Sequence, residues 1–188
     1  MRADAARNRR AILAATEELL TTHRPDEVTI EQVAAAAGVG KGTVFHRFGN
    51  RMGLMVALMQ ERAMGLGADI DAGPPPLGPG APARERLLAF LAAVVDVVSR
   101  NKGLVAALGQ VVTTQHQHGE NHPVYQLWQG HVRDLIAQER PDLDADLLAD
   151  LLLAGLTAES VIRRMATGNT ERLIAALQSL ATGLLDGR

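Results

Sequence analysis

The sequence predicts an all-α protein of roughly nine helices, with an N-terminal helix-turn-helix three-helix head followed by a larger helical bundle. Composition, periodicity and capping signals predict it. Ala and Leu are abundant and aromatics make up only 3% of the chain, a balance that favours helix, because strands prefer β-branched and aromatic side chains. Apolar residues recur at helical spacing and no alternating apolar–polar run marks a strand. Cap and stop residues bound the periodic segments where helices must begin and end.

The first helix is predicted from about Ala6 to Thr22. Ile12, Leu13, Thr16, Leu19 and Leu20 form one buried stripe, and Pro25 prevents continuation. Thr29 and Gln32 form a capping box for the next helix, Ile30–Ala37, and Val28 and Val33 stand where a hydrophobic staple closes over it. Gly38 suits the left-handed position that ends this helix. A third helix is expected over Lys41–Arg47, and a fourth over Arg51–Leu66, capped by Asn50. Between Asp71 and Ala83 lie five prolines and three glycines, so no regular helix passes through. Further helices are expected near Arg84–Ser99, Lys102–Thr114, Pro123–Arg140, Leu143–Thr167 and Thr170–Leu185. The division that follows is a head over 1–49 and a body over 50–188, with the Pro/Gly-rich connection at 71–83.

The stretch Thr29–Gly49 reads TIEQVAAAAGVGKGTVFHRFG. Two short helices joined by a tight glycine turn can brace the second in a major groove. Ala34 to Ala37 are small enough for close helix approach, Val39 plugs the gap between the helices, and Gly42 leaves room for a backbone to come near. Val33, Val39, Val44 and Phe48 are core positions. The pattern Ala37-Gly38-Val39, Lys41-Gly42-Thr43, Val44, Phe45 and Arg47-Phe48, preceded by Arg9-Arg10-Ala11-Ile12-Leu13-Ala14-Ala15, resembles the TetR family of transcriptional regulators. The resemblance covers roughly the first 60 residues; beyond them only length and helical content agree.

That resemblance implies a DNA-binding regulator. Carried over by position, Thr29 holds a phosphate, Lys41, Gly42 and Thr43 face the groove with Lys41 as base-edge donor, Phe45 and His46 lie along groove or backbone, and Arg51 clamps a phosphate. Arg7, Arg9 and Arg10 add backbone or minor-groove contacts. The chain departs from the family in having Phe45 where Tyr is usual, Gly40 where Ser is commoner, and Arg24 where a helix-ending Gly is usual. The resemblance also implies a homodimer through the last two helices. There Leu173, Leu177, Leu180 and Leu184 form a seam, preceded by Leu148, Leu151, Leu152, Gly155 and Ala158; burial within one subunit fits the same pattern.

The expected effector is small and apolar, because the candidate lining is apolar with few polar handles. Met55 and Met59 supply it from the fourth helix, Phe90 and Val94 from the fifth, and Leu108 and Val111 from the next. The helix after that adds Leu127, Trp128, His131 and Leu135. Each of these residues fits ordinary core equally well. The expected mode of action is that of a repressor released from a palindromic operator when the effector shifts the population of body conformations.

Other chemistry is disfavoured. The chain has no cysteine, which removes disulfides and thiolate chemistry. Gly38–Thr43 is not a phosphate-binding P-loop: Gly42 follows Lys41 directly, and the segment follows a helix rather than a strand. His116, His118 and His122 cluster with Glu120, but nothing rigid fixes them, so a solvated connection is preferred to a metal site. Neither a cofactor nor catalysis is expected. The alternatives are a helical enzyme that keeps a DNA-binding-like head, and a ligand-independent DNA-binding interaction protein. The longest apolar run, Leu87 to Val95, is short of the about 20 residues a bilayer span needs, and the Arg-rich start lacks a signal-peptide core. A cytoplasmic protein is expected. Net charge divides as +2 up to Arg62 and −4 beyond it, a mildly basic head on an acidic body.

Overall fold

A computed structural model describes residues 2–108, 123–166 and 169–187. Among the described residues there are nine α-helices and no strand: α1 (Arg2–Thr22), α2 (Ile30–Ala36), α3 (Lys41–Phe48), α4 (Arg51–Ala72), α5 (Ala83–Leu108), α6 (Pro123–Glu139), α7 (Ala145–Ala154), α8 (Glu159–Ala166) and α9 (Thr170–Asp186). A 3-10 turn, Gly155–Thr157, stands between α7 and α8. Among these residues, no helix is long and apolar enough to cross a membrane.

The chain forms two compact units. The first, the head, runs to Arg62 and takes in a short stretch from Leu104; the second, the body, comprises Ala63–Gly103 and the helices from α6 on. The head core is made by Ile12 and Leu13 of α1, Val33 and Ala34 of α2, Val44 of α3, and Leu54, Met55 and Leu58 of α4. Thr16 lies fully inside this core, and its hydroxyl donates to the Ile12 carbonyl at 2.8 Å. A hydroxyl is tolerated there because the helix itself supplies the acceptor. Two ion pairs tie α1 to α4. Arg62 donates to Glu17 through two nitrogens at 2.9 and 3.1 Å, and Arg9 reaches Glu61 at 3.3 Å.

In the body, one face of α5 (Leu87, Phe90, Leu91, Val94) packs in a core with Trp128, Val132, Leu135 and Ile136 of α6. Ala63, Leu66 and Ile70 of α4, Ala149 and Leu153 of α7, and Leu177, Ala181 and Leu185 of α9 share that core. Polar side chains fix α9 at its middle and at its C-terminal end. Gln178 donates to the Leu88 carbonyl at 3.0 Å, Arg84 pairs with Asp186 at 2.7 Å, and Arg140 donates to the Leu184 carbonyl at 3.0 Å.

The helix boundaries differ from the sequence reading in four places. α1 begins at Arg2, earlier than Ala6, and α4 continues to Ala72 rather than Leu66. α5 is one helix where two were expected. Asn101 and Gly103 do not break it, because Leu104 just beyond is buried and tertiary packing outweighs local propensity. The single helix expected over Leu143–Thr167 is two. Asp144 caps α7 by accepting from the Leu147 N–H at 3.1 Å, and the chain breaks at Gly155–Thr157 before an extended Ala158, ψ 132°.

Candidate nucleic-acid interface

α2 starts where its sequence dictates. The Thr29 hydroxyl accepts from the Gln32 N–H at 3.2 Å and the Gln32 side chain accepts from the Thr29 N–H at 2.8 Å, so two orphan donors of the first turn are satisfied reciprocally. Val28 and Val33 are both buried beneath the cap. The turn closes through Gly38, whose φ of +65° strains any residue with a Cβ. The Val39 N–H returns to the Ala34 carbonyl at 3.0 Å, and Val39 packs against the head core. Gly40 begins α3 without a side-chain cap.

α3 then sorts its side chains by face. Val44 is fully buried and Phe48 packs against the same core. The other side presents Lys41, Gly42, Phe45 and His46 to solvent, with Thr43 half-buried at its margin. Phe45 is 43% exposed, an aromatic ring placed on a surface rather than beneath it. A Cβ built on Gly42 meets nothing within 4 Å, so that side of α3 is open to an incoming surface. The head therefore gathers Lys41, Gly42, Thr43, Phe45 and His46 on one short helix. Thr29 sits exposed at the start of α2, and Arg51, half-buried, at the start of α4.

Four of the cations expected to meet DNA are already engaged. The Lys41 ammonium forms an ion pair with Glu31 on α2 and stands 5.5 Å from the centre of the Phe45 ring. That hydrogen bond to Lys41 holds the Glu31 carboxyl below its ordinary pKa. The sequence reading missed Glu31, ten positions before Lys41, because only the fold of the turn brings them together. Arg51 spends one of its five donors on the Asp26 carbonyl at 2.7 Å. Arg9 pairs with Glu61 and stacks over Phe48 at 5.8 Å, so it braces the head core. Arg7 pairs with Asp4 at 3.6 Å.

The residues expected to line an effector site separate into two groups. Met55 and Met59 belong to the head core, while Phe90, Val94, Trp128 and Leu135 belong to the body core. Within the body, Phe90 is the centre of a ring cluster, edge-on to Trp128 at 6.5 Å and to His131 at 5.1 Å. Trp128 Nε1 and His131 Nε2 are both buried without a hydrogen-bond partner. Burial, then the Arg86 guanidinium, lower the His131 pKa. Leu127 is exposed and Leu108 ends α5. Val111, His116, His118 and His122 lie outside the described residues. Among the described residues no group of His, Asp or Glu has the arrangement of a metal site.

Residues 12–58 match the profile of the family described as bacterial regulatory proteins, tetR family. No curated protein matches the sequence. Among solved structures, a TetR transcriptional regulator from Streptomyces coelicolor is similar at 25% identity and TM-score 0.62, over 95% of this chain and 97% of that one. The fatty acid degradation regulator FadR from Bacillus halodurans is similar at 19% identity and TM-score 0.56, over 95% and 98%. FadR from Bacillus subtilis, solved with stearoyl-CoA, is similar at 17% identity and TM-score 0.54, over 95% and 98%. With its capped, glycine-turned head, the chain carries over residues 12–58 the N-terminal domain of bacterial regulatory proteins of the tetR family, and its described helices share the fold of the TetR transcriptional regulator from Streptomyces coelicolor.

Proposed function

We propose that this chain is an effector-released repressor that binds a palindromic DNA operator as a homodimer. The observation that carries the reading is the exposed face of α3, where Lys41, Gly42, Phe45 and His46 share a solvent side while Val44 anchors the opposite side in the core. A helix held this way can enter a major groove with its N-terminal residues against base edges. Lys41 is the base-edge or phosphate donor, Thr43 and His46 add polar contacts, and the Phe45 ring suits a thymine methyl. Thr29 and Arg51 meet phosphates on either side. The chain acts by binding rather than by turnover, as befits a family of regulators.

Dimerisation is assigned to α7, α8 and α9, the segments that the last two helices of the sequence reading became. Leu151 and Leu180 are 62% and 64% exposed, while Leu177 is spent within its own subunit. Two heads related by a twofold axis would read half-sites about 34 Å apart. The effector site is assigned to the body around Phe90, Trp128 and His131, with an apolar ligand carrying a polar group that meets the two partnerless nitrogens. A long-chain acyl-CoA, the ligand class in the FadR complex, is the first compound to try.

The test is a fluorescence-anisotropy titration of the purified protein against duplexes selected from genomic DNA. Lys41→Ala is expected to lower the salt slope by about 1 if Lys41 meets phosphate, or to relax discrimination at one base pair if it reads a base. Indifference of the wild-type protein to every duplex at low salt would remove the reading. Adding stearoyl-CoA is expected to weaken operator binding; tighter binding would reverse the sign of regulation.

A further inference from the structure

We infer that Glu31 is a specificity-determining residue of the DNA interface, acting as a carboxylate competitor that holds Lys41 back from phosphates. The inference rests on the reading of α3 as the groove-entering helix. Glu31 stands in the first turn of α2 and Lys41 in the first turn of α3. A carboxylate is stabilised by the positive end of a helix dipole and an ammonium is opposed by it. Glu31 is therefore at ease where it stands, and Lys41 relies on Glu31 to offset its own position. The pair is formed across the turn that Gly38 makes, and the centre of the Phe45 ring stands 5.5 Å from the same ammonium. Both charges are more than half exposed, at 54% and 59%, so neither is locked into the core and the pair can open at a modest cost.

Two consequences follow for a duplex approaching α3. A phosphate, which attracts any cation regardless of sequence, must displace a partner that Lys41 already has. It must also accept an uncompensated carboxylate close to the backbone. A base edge with paired acceptors, such as guanine O6 and N7, offers Lys41 directed hydrogen bonds that a bare phosphate contact does not add. The ammonium has three donors, so it can reach such an edge while still leaning on Glu31. The pair thus taxes non-specific binding more heavily than specific binding. This is discrimination by an unfavourable element built against the wrong partner.

The test compares wild type, Glu31→Gln, Lys41→Ala and the double variant on a mixed-sequence duplex and on the preferred duplex recovered by selection. Glutamine keeps the length and helix propensity of glutamate, and circular dichroism verifies that each variant is folded. Glu31→Gln is expected to tighten binding to the mixed-sequence duplex by about 2- to 5-fold and to steepen its salt slope by about 1. The preferred duplex should gain less, so the specificity ratio falls. The gain should vanish in the Lys41→Ala background. Unchanged or weaker non-specific binding by Glu31→Gln overturns the inference. So does a gain that persists without Lys41, which would make Glu31 a simple phosphate repellent. If Lys41→Ala alone changes neither affinity nor slope on either duplex, the reading of α3 itself has failed, and the Glu31 inference falls with it.

Discussion

At the scale of single residues, the head tolerates little change where α3 hands over to α4. A Cβ on Gly53 would stand 2.0 Å from the Phe48 carbonyl oxygen, and the helix-capping carboxamide of Asn50 fixes the Gly53 N–H at 2.8 Å. Gly53→Ala must push backbone against backbone and is expected to lose about 1–3 kcal/mol in urea denaturation. Gly65→Ala on the same helix meets open space and should be neutral or gain up to about 1 kcal/mol. His131 gives a pH signature. Burial, then Arg86, depress its pKa in the fold, so the unfolded chain takes up a proton more readily. Stability attached to His131 is present above the ordinary histidine range and is lost as pH falls through it. The urea midpoint of wild type is expected to fall between pH 7 and 5 more steeply than that of His131→Gln.

At the scale of elements, what the sequence made legible was whatever its neighbours decide. Thr29, Gln32, Val28 and Val33 lie within six consecutive positions, and their cap was readable because each partner is a turn away. The Asn50 and Gly38 assignments held for the same reason. The continuity of α5 was not legible, because Leu104 overrides Gly103 only once the core exists. The break at Gly155–Thr157 was hidden in an apolar run with good helix formers on both sides. The Glu31–Lys41 pair was hidden because it is set by a turn, not by a spacing. One such non-local tie makes an element-level prediction. Arg140, just beyond α6, donates to the Leu184 carbonyl near the end of α9, while Asp142 receives two of its other nitrogens at 2.8 and 2.7 Å. Arg140→Met is expected to speed amide exchange in the last turn of α9 and leave α1–α3 unaffected. The Arg140 hydrogen bond brings the Asp142 pKa down to about 2. The tie should therefore be intact above the ordinary carboxylate range and loosen as pH falls from there towards 2.

At the scale of the whole molecule, the two units carry different burdens. In the head, the short α2 and α3 owe their shape to caps, a glycine turn and one small core; the helices of the body share a larger one. The solvent face of α3 was legible in the sequence because the head motif is compact. The lining of an effector site was not, since apolar residues at helical spacing look alike whether they meet a ligand or each other. Met55 and Met59, placed with the head core, fit either role by their sequence. A quaternary prediction follows from the exposed leucines of α7 and α9. Leu151→Glu and Leu180→Glu are each expected to raise the dimer dissociation constant by about 10- to 100-fold, measured by sedimentation velocity. Helical content should not change. Operator affinity should fall with dimer loss.

Trp128 is the sole tryptophan of the chain, and it sits inside the body core against Phe90. Its ultraviolet emission is consequently a reporter of one unit alone, whereas far-ultraviolet ellipticity sums both. Heating the protein while following the two signals side by side distinguishes a single concerted melt from two separate ones, with no label and no added chromophore.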